Sequence, residues 1–135
     1  MRFMMLMIPK GYESAKPGAM PTAKTMAAMM NYNEALQKAG VLLALDGLHP
    51  PSMGARVSFS GGKPKVTDGP FAEAKEVIGG YWMIQVKSRE EAIEWASRCP
   101  ASDNEVIRLR QVQEMSEFPT DVQAAAAVSP ERQKK

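Results

Sequence analysis

The run Asp68-Gly-Pro-Phe-Ala-Glu-Ala-Lys-Glu76 is the densest cluster of charge in the sequence. A carboxylate at Asp68, stiffened by Gly69-Pro70, is placed to take or give a proton. Lys75 is close enough in the chain to bind an anion or to tune that carboxylate. The same residues also read as an Asx turn followed by a solvated charge run, because Asp ahead of Gly-Pro is ordinary turn chemistry. His49, in Gly47-Leu-His-Pro-Pro51, is the one histidine of the chain. Imidazole titrates near neutrality, so beside a carboxylate it is a natural general acid or base; alone on a loop it is a surface residue. Asp68 and His49 are thus the candidate catalytic pair. Arg108 and Arg110 share one face of a strand, where two guanidiniums could grip a carboxylate or phosphate, or simply meet solvent. With Tyr12 and Lys75 they make the candidate ligand-binding set; Tyr12 would stack on a ligand or plug the core.

The composition excludes several classes. One cysteine, Cys99, rules out an internal disulfide framework and a multi-cysteine metal cluster, and one histidine rules out paired imidazole ligands. No metal and no cofactor is expected, since no G-x-G-x-x-G, Walker loop, H-E-x-x-H or G-x-S-x-G occurs. Seventeen Lys and Arg against fifteen Asp and Glu give a net charge of +2, scattered rather than clustered, which argues against direct nucleic-acid binding. The apolar run Phe3–Ile8 is closed by Pro9, Lys10 and Gly11, too early for a secretory segment. No stretch approaches the roughly 20 apolar residues that span a bilayer. A cytoplasmic protein with no membrane partner is the expectation. The eleven methionines and two tryptophans read as core packing.

The elements that must position these residues follow from periodicity. Phe3–Ile8 and Val41–Leu45 are continuous apolar runs, so both read as buried strands. From Thr22 to Ala39, Met29, Tyr32, Leu36 and Ala39 recur at helical spacing, with Thr22 as N-cap and Gly40 as the stop. Arg56–Ser60, Gly61-Gly62 and Lys63–Thr67 predict a β-hairpin, and Pro64 puts it at a sheet edge. Tyr81–Val86 predicts a strand. Ser88-Arg-Glu-Glu91 is a capping box, opening a helix whose apolar face is Ala92, Trp95, Ala96 and Cys99. Val106–Val112 is the last strand. Residues 1–118 form the domain; 119–135 are an Ala-rich, then charged, C-terminal tail read as loosely ordered.

The resulting order predicts an α+β, ferredoxin-like antiparallel sheet with helices on one face and an inserted β-hairpin. Helices cover one face only, yet the first two strands look apolar on both. A second copy of the chain is the economical cover for the other face.

Asp68 to Glu76, continuing through Val77-Ile-Gly-Gly-Tyr-Trp82, resembles the DGPF branch of the YCII-related proteins. Gly40–Leu45, Gly47-Leu-His-Pro50 and Ser88-Arg-Glu-Glu-Ala-Ile-Glu-Trp95 extend the resemblance from Met1 to about Phe118. It implies a homodimer that pairs sheet to sheet as a dimeric α/β barrel, with a pocket between the sheets near the DGPF turn. It also implies a link to extracytoplasmic-function sigma factors, and, from the wider group, a His–Asp acid/base pair. Two departures stand out: the first helix holds no histidine, and Arg108 stands where relatives often have Glu. Both favour a pocket for a small anion, acid/base enzymology being the alternative.

Overall fold

The computed structural model describes residues 1–71 and 77–127. The order is β1 (Arg2–Ile8), α1 (Ala23–Lys38), β2 (Leu42–Gly47), β3 (Ala55–Ser60), β4 (Lys63–Asp68), β5 (Gly80–Gln85), α2 (Arg89–Ser97), β6 (Val106–Gln111) and α3 (Thr120–Ala127). Strands β2-β5-β1-β6 make a four-stranded sheet in which each neighbouring pair is antiparallel. It is a mixed α+β fold, and the sheet does not close into a barrel.

Alternation along the strands separates two faces. Phe3, Met5 and Met7 of β1 and Trp82 and Ile84 of β5 form the buried core with Tyr32 and Leu36 of α1 and Ala92 of α2. The Tyr32 and Trp82 rings meet edge to face at 5.6 Å. Each spends its polar atom inside the core: Trp82 Nε1 donates to Asn33 Oδ1 at 2.7 Å, and Tyr32 Oη donates to the Trp95 carbonyl at 2.6 Å. The second bond ties α1 to α2.

The helix boundaries have local causes. Thr22 Oγ1 accepts from the Thr25 N–H, and Ser88 Oγ accepts from the Glu91 N–H. Glu91 Oε1 reaches back to the Lys87 N–H, one residue before the cap itself. At the end of α1, Gly40 sits at φ +75°. Its N–H donates to Gln37 O, and the Val41 N–H donates to Leu36 O. That is a Schellman motif, and Val41 and Leu36 supply its apolar contact.

Three expectations change. Val41–Leu45 is not a second buried strand: β2 is an edge strand, and Leu43 and Leu45 are 51% and 36% exposed. The β3–β4 hairpin does not extend the sheet edge. It is a separate two-stranded sheet turned by Gly61 and Gly62, both at positive φ. Its pairs Val57↔Val66 and Phe59↔Pro64 form an apolar face left in water, with Phe59 76% exposed. The Ala-rich start of the C-terminal tail is helical, as Thr120–Ala127, consistent with alanine's high helix propensity. Residues 128–135 lie outside the described residues.

Cys99 lies half-buried at the end of α2, next to the core. Burial, and then the Glu105 carboxylate, push its thiol up to about 11. The folded state therefore holds this proton more tightly than the unfolded chain does. That contribution to stability is complete below the ordinary thiol range and is lost as pH rises toward 11. Thiol titration with a disulfide reagent at pH 8 should be slow in native protein and fast in urea. Equal rates would contradict the burial.

Candidate functional site

Tyr12 stands in a 3₁₀ turn (Tyr12–Ser14) and its hydroxyl donates to the Leu48 carbonyl at 2.5 Å. Partial burial holds this phenol above its ordinary range. Ser52 Oγ donates to Ala15 O at 3.0 Å, so the loop after β1 is stitched twice to the loop that carries His49. Leu48 N–H donates to Gly79 O, and Gly79 N–H donates to Met7 O. The DGP turn closes on the same loop: Gly69 N–H donates to Gly54 O at 2.9 Å. A Cβ on Gly69 would lie 1.7 Å from Pro51 O, which only glycine permits.

Tyr12, the His49 loop and the DGP turn are thus gathered at the end of the sheet where β1 finishes. Pro50 there is fully buried, whereas the His49 and Asp68 side chains are exposed. The bond that fastens the turn is the Gly69 N–H, not the Asp68 carboxylate. Arg56 stacks over the Phe71 ring at 5.1 Å, next to the turn. Lys75 lies outside the described residues, as do Glu73 and Glu76.

Arg108 and Arg110 lie elsewhere, on the sheet face opposite α1 and α2. Register places four residues in one transverse row: Asp46 of β2 faces Tyr81 of β5, Tyr81 faces Leu6 of β1, and Leu6 faces Arg108 of β6. The neighbouring row is Ala44, Met83, Met4 and Arg110. Ile107 and Leu109, the alternate residues of β6, pack toward the core. This open face therefore has an apolar floor of Met4, Leu6 and Met83 and a cationic edge on β6. Its opposite edge holds an ion–phenol pair, in which Tyr81 Oη donates to Asp46 Oδ2 at 2.6 Å. The bond to Asp46 is the main reason the Tyr81 phenol sits above its ordinary range. A third arginine on the same face, Arg2, is held by Glu114 through Nε–Oε1 at 2.7 Å and Nη2–Oε2 at 3.1 Å. That contact keeps the Glu114 carboxyl below the usual carboxylate range.

Asp46 and Tyr81 are the residues that sequence reasoning missed, Asp46 reading as a turn former and Tyr81 as the start of a strand. The available signal was alternation: with Trp82 inward, Tyr81 must face outward. On the helix side, an open groove of about 640 Å³ runs between α1 and β2, edged by Met30, Glu34, Lys38 and Leu45. It contains none of the expected site residues, and Glu34 and Lys38 pair with each other across 2.8 Å. Among the described residues no group of three His, Cys, Asp or Glu could hold a metal ion, and no helix is long and apolar enough to cross a membrane.

Fold and site together define a small α+β domain in which, among the described residues, neither α1 nor α2 covers the second face of the sheet, apolar in the middle and charged at both edges. Residues 1–116 match the YCII-related domain, and the chain belongs to that family. It is similar to an uncharacterized protein of Rhizobium meliloti (strain 1021), 39% identical over 59 residues, which is 44% of this chain. The match spans about half of that relative, 48% of its length.

Proposed function

We propose that this domain binds a small organic anion on the open face of its sheet, with Arg110 and Arg108 as the cations that hold it. The carrying observation is the register, which sets both arginines beside the apolar floor of Met4, Leu6 and Met83. Guanidiniums recognise carboxylate and phosphate by paired hydrogen bonds, most strongly where water is partly excluded. A second copy of the chain supplies that exclusion. Two apolar surfaces support this reading: the open face itself, and the hairpin face of Val57, Phe59, Pro64 and Val66. A two-stranded hairpin is marginal in water unless something packs on it. The strand order β2-β5-β1-β6 is that of a ferredoxin-like sheet, and the DGPF sequence points to the branch that pairs such sheets into a dimeric barrel. A sensing dimer suits the sigma-factor setting that this resemblance implies.

Calorimetric titration with a panel of small carboxylates and phosphates tests the anion site. Arg110→Ala should weaken binding about 10- to 100-fold, the worth of a charge-assisted hydrogen bond. Equal affinity in wild type and variant would remove Arg110 from the site. Light scattering at micromolar concentration should show a dimer, and a monomer would remove the second copy. Acid/base catalysis by His49 and Asp68 has one observation in its favour, the packing of Gly69 against Pro51. A ligand that shifts the His49 ring resonances would support that alternative.

A further inference from the structure

We propose that Asp46 and Tyr81 form a second recognition point on the open face, taking the cationic end of a bifunctional ligand whose anionic end rests on Arg108 and Arg110. The inference rests on the anion-site reading above and names the ligand class. Asp46 and Arg108 stand at the two ends of one row, with Tyr81 and Leu6 between them. The face therefore changes sign from β2 to β6 across an apolar middle. A simple anion would answer the β6 edge and leave the Asp46 carboxylate, hydrogen-bonded to Tyr81, without a cation. An apolar ligand would set hydrocarbon against charge at both edges of a partly dry face, which is costly. A molecule with an ammonium at one end, a carboxylate or phosphate at the other and a short hydrocarbon between pairs every group.

Tyr81 prepares Asp46 for this role. Its hydroxyl fixes Oδ2, and among the described residues no donor occupies Oδ1, so one carboxylate oxygen is oriented and the other is available. The spacing sets the ligand's length. Three interstrand steps separate β2 from β6, about 14 Å, leaving about 8 Å for the ligand after one hydrogen bond at each end.

Hexanoate and ε-aminohexanoate differ only in the terminal ammonium and suit that span. In calorimetric titration of wild type, the amino acid should bind about fivefold tighter than hexanoate, the scale of a partly exposed ion pair. Asp46→Asn should abolish that preference while hexanoate binding persists. Asp46→Glu, which keeps the charge, should restore part of it. Equal affinity for the two probes in wild type, or a preference that survives Asp46→Asn, overturns the inference. If hexanoate binds and requires Arg110 but wild type shows no preference for the amine, only this inference fails. Binding of neither probe overturns the anion site as well.

Discussion

Leu36→Ala should destabilise the domain by about 2–5 kcal/mol, the cost of emptying a fully packed leucine site. Leu36 is 0% exposed and belongs to the core formed with Phe3, Met5, Tyr32 and Ile84. The same side chain also provides the apolar contact of the Schellman motif with Val41, so truncation loosens the exit from α1 as well as the core. Urea or thermal melts measure it, and a shift on the order of 10 °C is expected for a chain of this size. A loss below about 1 kcal/mol would mean that α1 does not press on the sheet as described.

Gly69→Ala should cost about 1–3 kcal/mol and displace the DGP turn. The added methyl would fall 1.7 Å from the Pro51 carbonyl oxygen, a backbone atom that cannot rotate away. Relief requires the turn and the His49 loop to part, which stretches the Gly69 N–H to Gly54 O bond. The damage should therefore be concentrated at one end of the sheet. Amide hydrogen exchange should quicken at Gly69 and Gly54, while the β1–β5 ladder keeps its protection. A variant as stable as wild type, with unchanged exchange, would refute the close approach of these two loops.

The sequence made the helices legible because their caps and stops are local: Thr22, Gly40 and Ser88 do in the structure what their chemistry predicts. The core faces were legible for the same reason, since Met29, Tyr32 and Leu36 keep helical spacing. Strand order was not. Phe3–Ile8 and Val41–Leu45 are alike as text, yet β1 is central and buries Ile8 to 7% exposure while β2 is an edge whose Leu43 and Leu45 meet water. Nothing in a run of apolar residues records its neighbours. The hairpin shows the same gap, its Gly-Gly turn readable and its separation from the main sheet not. At the site, Arg108 and Arg110 needed only alternation to be assigned to one face. Asp46 and Tyr81 are 35 residues apart, and their contact depends on the pairing of β2 with β5. The DGP turn was recognised as a turn, but the atom that fastens it, the Gly69 N–H, is specified by a partner in another loop.

The central position of β1 governs when the chain can fold during synthesis. Arg2 pairs with Gln85, and Ile8 pairs with Val106, so β1 leaves the ribosome well before either of its partner strands. At ordinary translation rates the interval is on the order of ten seconds. Throughout it the apolar segment of β1 has no ladder to join, and α1 has no sheet to rest on. Such long-range pairing slows folding, because loop closure precedes any reward from contact. Ribosome-stalled chains ending before β6 should therefore stay protease-sensitive along β1 and bind nascent-chain chaperones there. Chains released after Gln111 should acquire resistance in a single step.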